Sequence, residues 1–523
     1  MAVSALSFVT AQDYDSYEPA ITFSGEAGAD GRAWIDTENG YADDTANIYN
    51  NTDMDARAYS KLNVSYSGES SDVEVKLAFD SKTLKSNPED IVEELTARGY
   101  FGNWTVEGGK MKLVWGKGDK LHVLDNFNAN NYTDFIFPDY IDRRLGEVMF
   151  RVSYSAPNAA NLRFEAAVTP FMTADRFATS GTLVPYAQQT LTDTVTSIVK
   201  NNLTYGVKNL SGNESSVVSS IMDASSFSSD DLYENNIKSL RYAQGGARVT
   251  GSLGSLDWGL SYYCGHYKQP SANLEKYITS LITAAATEHS TEVAALAAQL
   301  VNAGYKAETA AALAAKKIGS EYASTVAHDG SHELELPSLD YDRLQVFGVE
   351  FAKVLWKFNC RGEFAYNLTS DVAGDDPWVK NNSLAWVGGF DIDLPVHNLN
   401  INVQETGTYV LKNDKIEDGA FKAYDVDYNS DGKYCINKVV VNVSDKWINE
   451  KLSTECMVIY GIENKEWCVQ PKIEYNVVDG FTVIARGAYL YSDNENGEFY
   501  NFTADSTKNH TKAFAQFSVK YVF

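Results

Sequence analysis

The chain lacks long apolar runs and is poor in proline. Of its 523 residues, 44% are hydrophobic but only 11 are Pro, and the mean hydropathy is −0.30. Tyr and Gly are abundant instead, at 32 and 36 residues. A membrane helix needs a long apolar run, whereas a membrane β-strand needs an apolar residue only at every second position. The composition therefore argues against membrane helices and leaves a membrane barrel open.

Basic charge is also scarce. The chain carries 44 Lys and Arg against 70 Asp and Glu, a formal net charge of −26. An acidic chain is a poor partner for nucleic acid, so we expect none. The seven histidines form no His-Glu-x-x-His motif, and neither a Gly-x-Ser-x-Gly elbow nor a Gly-rich phosphate loop is present. We therefore expect neither enzymatic activity nor a cofactor.

Cysteine is too sparse and too irregular for a metal site or a full disulfide framework. The five cysteines are an odd number and include no Cys-x-x-Cys pair. One bridge among Cys435, Cys456 and Cys468 is left open for an oxidising compartment.

The amino terminus contains part of a secretion signal. Residues 1–12 have an apolar stretch and a small-residue ending at Val9-Thr10-Ala11, but the basic region that should precede them is missing. We interpret residues 1–12 as a truncated signal peptide, the alternative being a plain flexible end.

The carboxyl-terminal segment, residues 511–523, is the most specific feature. Counting back from the end, one face carries Ala515, Phe517, Val519, Tyr521 and Phe523, and the other carries Gln516, Ser518 and Lys520. This is the period of a strand between two unlike media. The segment resembles the closing strand of bacterial outer-membrane β-barrels, whose terminal Phe is read by the insertion machinery. The resemblance implies contact with outer-membrane lipid and the barrel-assembly machinery of a Gram-negative-type bacterium, with Phe517, Val519, Tyr521 and Phe523 as the assembly signal.

Short and long connections alternate along the chain, as in outer-membrane barrels with tight turns on one side and long loops on the other. We predict an all-β fold in which residues 13–523 form one transmembrane antiparallel up-and-down barrel of about 16 strands, with cell-surface loops. The main loop insertions are residues 118–145, 171–238, 268–341 and 412–465. Fourteen or 18 strands stay open because 412–465 contains strand-like runs. The Ala-rich pattern of 273–315 predicts helices within the third of these loops. A soluble β-sandwich is the alternative, although its solvent face rarely opposes so many aromatic residues.

The loop at 118–145 is too apolar for free water. It resembles, by position and composition, the third loop of general porins, which folds into the barrel and narrows the pore between acidic and basic side chains. Such opposed charges sort solutes by charge. The alternative is that the same ion pairs only stabilise a polar interior. The candidate constriction residues are Asp125, Asp134, Asp139, Asp142, Arg143, Arg144, Arg151 and Arg163, with Lys76, Lys112, Arg248, Arg361 and Arg486 as further inward-facing bases.

A weaker motif begins at Asp427. Asp427, Asn429 and Asp431, followed by Gly432, match the start of a calcium loop, but Lys438 stands where a bidentate Glu belongs. The alternative is an acidic surface turn.

Together these patterns predict a porin for passive diffusion of small hydrophilic solutes. Two other functions remain open. One is a surface adhesin or coat protein anchored by its barrel, and the other is a substrate-specific channel for an apolar or acidic solute. The sequence also leaves open whether the barrel assembles as a homotrimer.

Overall fold

A computed structural model describes residues 20–35, 52–81, 84, 87–134, 136, 140–157, 160–179, 183–208, 229–503 and 513–523. The proposed signal segment 1–12 and the candidate Asp139 lie outside these residues. Eighteen strands form one sheet. They are β1 Ala20–Ile35, β2 Thr52–Ser67, β3 Ser71–Asp80, β4 Val92–Phe101, β5 Trp104–Met111, β6 Glu147–Ser155, β7 Arg163–Thr169, β8 Gln244–Leu253, β9 Leu256–His266, β10 Arg343–Leu355, β11 Phe358–Leu368, β12 Ser383–Asp393, β13 Asn400–Val410, β14 Cys435–Trp447, β15 Leu452–Gly461, β16 Glu466–Val478, β17 Phe481–Tyr491 and β18 Ala513–Val522.

The sheet closes on itself. Each strand pairs antiparallel with the next along the chain, and β18 pairs with β1 from Glu26↔Val522 to Ile35↔Ala513. Closure removes every sheet edge, so the backbone polar groups of the wall are satisfied within the barrel. The prediction of an all-β, up-and-down transmembrane barrel is confirmed.

The strand number is 18, at the upper end of the predicted range. The two strands beyond sixteen are β14 and β15, which lie inside the segment 412–465 that the sequence assigned to a loop. That assignment is wrong for 435–461. The turn between the two strands has Ile448, Asn449 and Glu450 at positive φ, 54°, 52° and 64°, without a glycine. The hairpin therefore lacks the glycine that would mark it in the sequence, and Asn449 is the one residue of the three that favours this conformation.

Side chains alternate between the two faces of the wall. Outward aromatic side chains are about half exposed, whereas inward carboxylates of the same sheet are buried. The outward examples are Phe150, Phe164, Phe347 and Phe517, and the inward ones are Glu107, Glu165, Glu350 and Glu363. In β3 the predicted alternation holds, because Val73 and Phe79 are exposed while Lys76 Nζ lies 2.8 Å from Glu94 Oε1 across the interior face. An apolar exterior and a polar interior are the arrangement of a barrel in lipid.

Long loops lie on one side of the barrel, and residues 20 and 523 both lie on the side of the short turns. Among the described residues, the helices longer than ten residues belong to two of the loops: α1 Tyr186–Val207 to one, and α2 Glu275–Glu288, α3 Ser290–Asn302 and α4 Ala307–Tyr322 to the other. Ile198 of α1 packs with Leu281 and Ala285 of α2, so the two loops form a shared helical cluster. Helices over 273–315 are as predicted.

Short elements complete the loops. The helical turns are Pro88–Ile91, Tyr140–Arg143, Ser229–Leu232, Leu240–Tyr242, Ala323–Thr325, Asn413–Glu417, Lys422–Tyr424 and Tyr500–Thr503, and the short strands are Asn131–Tyr132, Arg176–Phe177, Ser271–Asn273 and Ser338–Asp340. In the part of the chain that the structure describes, no helix combines the length and the apolar character needed to cross a membrane.

Candidate functional site

The loop between β5 and β6 spans residues 112–146, and its described residues, 112–134, 136 and 140–146, lie inside the barrel. Its apolar side chains pack on inward-facing residues of the wall from β6 to β12 in one buried cluster. The loop contributes Leu113, Trp115, Leu124 and Phe127, and the wall contributes Met149, Ala167, Tyr263, Leu344, Val346, Ala365 and Ala385. Burial of these side chains supplies the driving force that holds the loop within the barrel. We call this segment the inner loop.

Glu363 of β11 fastens the inner loop to the wall. Its buried carboxylate accepts hydrogen bonds from the backbone N–H of Gly118 at 2.6 Å, Val123 at 2.8 Å and Leu124 at 3.2 Å. His122 Nδ1 lies 2.9 Å from the same carboxylate. One wall side chain thus satisfies three loop donors that would otherwise be buried without partners, an arrangement that is expensive to break.

Four further hydrogen bonds hold the inner loop. Asn128 accepts from Leu113 N–H at 2.8 Å and donates to the carbonyls of Met111 and Leu145 at 3.0 and 2.9 Å, which ties the two ends of the loop together. Trp115 Nε1 donates to Glu165 Oε1 at 2.5 Å. The inner loop is therefore fixed to the wall by buried polar contacts as well as by apolar packing.

The other half of the lumen contains a cavity of about 600 Å³. Its lining begins near the turn side, with Glu26, Glu474 and Lys520, and extends to the loop side, with Asp80 and Asp90. The strands β1–β5 and β15–β18 form its outer wall and the inner loop forms the opposite one. The cavity thus runs along most of the barrel height.

The cavity is lined by charges of both signs. Among the described residues, its lining includes ten Lys or Arg and eight Asp or Glu, an excess of two positive charges in a chain of net charge −26. The basic residues are Arg32, Arg57, Lys61, Lys110, Lys120, Arg143, Arg144, Lys472, Arg486 and Lys520. The interior beside the inner loop is therefore more basic than the protein as a whole.

Ion pairs cross from the wall to the inner loop. Arg32 of β1 binds Asp134, and Lys61 Nζ of β2 lies 3.5 Å from Asp142 Oδ1. Within the wall, Arg57 Nε donates to Asp30 Oδ2 at 2.9 Å, and Arg57 Nη1 donates to Asp80 Oδ2 at 3.2 Å. Acidic groups of the inner loop thus contact basic groups of the wall beside the cavity.

The predicted constriction residues separate into three groups. Asp134, Asp142, Arg143 and Arg144 line the cavity. Asp125 forms a buried ion pair with Arg144, each side chain being 2% exposed, so this pair lies within the inner loop. Arg151 and Arg163 lie on the wall away from the cavity, where Arg151 bridges Glu107 and Glu165 and Arg163 Nη2 donates to Ser153 Oγ at 3.2 Å.

Sequence reasoning missed Arg32, Arg57 and Glu363. Arg32 follows Asp30 at a spacing of two, between the small residues Ala29, Gly31 and Ala33 of β1. In a closed barrel β18 pairs with β1, and residues directly opposite each other point to the same face. Because Gln516 and Ser518 point inward, their partners Arg32 and Asp30 point inward as well. Glu363 carries no such signal, because its role depends on a loop about 240 positions earlier in the chain.

Three charged groups of the long loops have shifted pKa values. Burial lowers the pKa of Lys268 to about 8, although the charges of Glu147 and Asp175 oppose this shift. Lys438 lowers the pKa of Glu498. Burial, followed by the charges of Asp427, Asp371 and Asp376, raises the pKa of Asp425 to about 6.

The carboxyl-terminal strand has the predicted facing. Phe517, Tyr521 and Phe523 are 56%, 49% and 48% exposed on the outer face, and Val519 is half-buried there. Gln516 and Ser518 are buried on the inner face.

The residues of the calcium-like motif contact other groups. Asp427 Oδ2 accepts from Asn381 N–H at 2.7 Å, Asn429 Oδ1 accepts from Asp431 N–H at 3.0 Å, and Asp431 Oδ2 accepts from Asn494 Nδ2 at 2.7 Å. Over the described residues, no group of three or more His, Cys, Asp or Glu side chains is placed to hold a metal ion. All five cysteines are free thiols.

A closed 18-strand barrel with an apolar exterior, a polar lumen and an even strand number is a protein of the bacterial outer membrane. The sequence matches no protein-family model, and no curated protein is similar to it.

Solved structures with a related architecture include OpdK of Pseudomonas aeruginosa (8% identity, 97% and 98% of the two chains covered, TM-score 0.44). They also include a BenF-like porin of Pseudomonas fluorescens Pf-5 (9% identity, 96% and 98% covered, TM-score 0.44). A third is OccK2 of P. aeruginosa in complex with glucuronate (9% identity, 96% and 98% covered, TM-score 0.43).

Proposed function

We propose that the chain is a porin for passive diffusion of small hydrophilic solutes, with a preference for anions. The observation that carries the proposal is the charged cavity beside the inner loop, which extends along the barrel from the turn side to the loop side. Polar solutes do not pass readily through the lipid bilayer, but they can cross the membrane through a charged, water-accessible lumen.

The anion preference follows from the charges of the lining. Ten basic and eight acidic residues leave a local excess of positive charge. Charges that line a narrow lumen with low-dielectric walls act more strongly than the same charges on a surface, and they raise the local concentration of counter-ions. The negative charge of the protein lies on the rest of the chain and is screened beyond about 8–10 Å at physiological ionic strength.

The inner loop restricts the path because it fills the lumen on the side of β6–β12. We propose that Asp134, Asp142 and Arg143 are the loop residues that the solute passes, opposite Arg32, Arg57 and Lys61. The pair Asp125–Arg144 supports the shape of the loop, since both side chains are buried.

Single-channel recording of the purified protein in a planar bilayer tests the proposal. We expect discrete, stepwise current increments in KCl. Protein that inserts with native heat-modifiability and yet gives no increments would contradict it.

We also propose that the outward aromatic residues of β18 are the signal for barrel assembly.

A further inference from the structure

Three arginines meet at one height of the cavity wall. Arg486 of β17 and Arg32 of β1 are both cross-strand partners of Gln516 in β18, so the three side chains form one inward row. Arg57 of β2 lies beside this row, opposite Asp30 in the strand pairing. We call Arg32, Arg57 and Arg486 the arginine cluster.

The wall and the inner loop supply different partners to this cluster. Asp30 and Asp80 of the wall hold Arg57 at 2.9 and 3.2 Å, and Gln516 Oε1 accepts from Arg32 Nε at 2.9 Å. Asp134 is supplied by the inner loop and binds Arg32 Nη2.

Asp134 is less firmly held than the body of the inner loop. Its side chain is 26% exposed and it lines the cavity, whereas the loop is anchored through Glu363 and the buried apolar cluster. The carboxylate can therefore rotate away from Arg32 without loss of those anchors. An ion pair that water reaches is easily exchanged for another.

We propose that the arginine cluster is a binding site for a small carboxylate, and that Asp134 occupies it in this structure as a tethered competitor. A carboxylate that enters the cavity replaces Asp134 on Arg32 Nη2, because this N–H group donates to the oxygen of any carboxylate. Asp134 thereby weakens the retention of the solute and speeds its release. The inference rests on the proposed channel function for its consequence, but not for the binding site itself.

The test compares wild type with Asp134→Asn. Benzoate is added at constant ionic strength to a chloride-carrying bilayer, and the concentration that halves the current is measured. Removing the tethered carboxylate is expected to lower this concentration about fivefold. This factor corresponds to the free energy that one water-accessible ion pair contributes. Direct binding of benzoate to detergent-solubilised protein, followed by calorimetry, should tighten by the same factor.

Asp142→Asn is the matched control, because Asp142 is another inner-loop carboxylate that lines the cavity and pairs with Lys61. It should leave the half-blocking concentration unchanged, and Arg486→Gln should raise it. Equal effects of Asp134→Asn and Asp142→Asn, or no effect of either, would overturn the inference. If no variant conducts but benzoate still binds more tightly to Asp134→Asn, the porin function fails while the carboxylate site stands.

Discussion

The last residue of the chain, Phe523, is paired with Gly25 of β1. The two residues exchange backbone hydrogen bonds in both directions, each 2.9 Å long. The Phe523 ring lies over the glycine, so that a Cβ atom added to Gly25 would be 2.8 Å from Phe523 Cζ. An aromatic ring that covers a cross-strand glycine is a known way of fixing strand register. The barrel is thus closed by the carboxyl terminus itself.

Replacing Gly25 should impair this closure. A Cβ at position 25 would also lie 2.4 Å from the Lys61 carbonyl oxygen, which cannot move without distorting β2. Gly25→Ala is therefore expected to slow folding and to lower the yield of heat-modifiable barrel in gel-shift assays. Gly31→Ala, on the same strand, has no atom within 4 Å of the added Cβ and serves as the control. Equal folding of the two variants would show that the Phe523 contact does not set the register.

Deleting Phe523 removes both backbone bonds to Gly25 and one outward aromatic ring. Assembly into the outer membrane is expected to slow, because the proposed assembly signal loses its terminal residue and β18 loses its last ladder contact with β1. Pulse-chase analysis of heat-modifiability measures the rate. Equal rates for wild type and the deletion, at equal expression, would argue against the assignment.

The facing of β3 gives a stability prediction. Leu77 is on the outward parity of Val73 and Phe79, whereas Ala78 lines the cavity. Leu77→Arg should cost about 2–4 kcal/mol if the position lies near the bilayer midplane, because arginine must then be accommodated in lipid. Ala78→Arg should cost far less. Urea unfolding in lipid vesicles measures both, and equal free energies of unfolding would show that the strand faces the other way.

Glu363 should control the position of the inner loop. Glu363→Ala leaves the N–H groups of Gly118, Val123 and Leu124 without their acceptor, at about 1–3 kcal/mol for each buried donor that stays unsatisfied. The loop is expected to become accessible to protease, with larger and noisier single-channel currents. Glu350→Ala is the control, since Glu350 is a buried inward carboxylate on β10 that pairs with Arg248. If both variants keep a protected loop, Glu363 is not its anchor.

Asp425 should make the stability of the surrounding loops depend on pH. Its pKa is raised to about 6, chiefly by burial, above the value of about 3.9 in an unfolded chain. The folded loop therefore binds the proton more tightly, and its stability falls as the pH rises from about 4 to about 6. Amide exchange in residues 369–382 and 411–434, corrected for intrinsic rates, should be slower at pH 4.5 than at pH 7. Asp425→Asn should remove the difference. A wild-type protein with pH-independent protection would contradict the assignment.

The sequence predicted the fold far better than the site. The alternation of apolar and polar residues correctly predicted which side of β3, β6, β7 and β18 points outward, because one face of each strand must contact lipid. The hairpin β14–β15 was missed because its turn uses Ile448, Asn449 and Glu450 at positive φ where a glycine would have marked it.

The site depends on contacts that no local pattern encodes. Arg32 meets Asp134 across about 100 positions, and Glu363 meets Gly118 across about 240. The apolar character of 118–145 suggested that this loop is buried, but not which wall receives it. Charge alone therefore could not separate the buried Asp125, which pairs with Arg144, from the acidic residues that line the cavity.

The reversal potential of the open channel under a tenfold KCl gradient shows whether the lumen prefers anions. We expect an anion-selective wild type, and a shift toward cations when Arg57 and Arg486 are replaced together by Gln. Arg163→Gln is the matched control, because Arg163 faces inward but lies away from the cavity. A cation-selective wild type, or an equal shift for Arg163→Gln, would contradict an anion-selective porin.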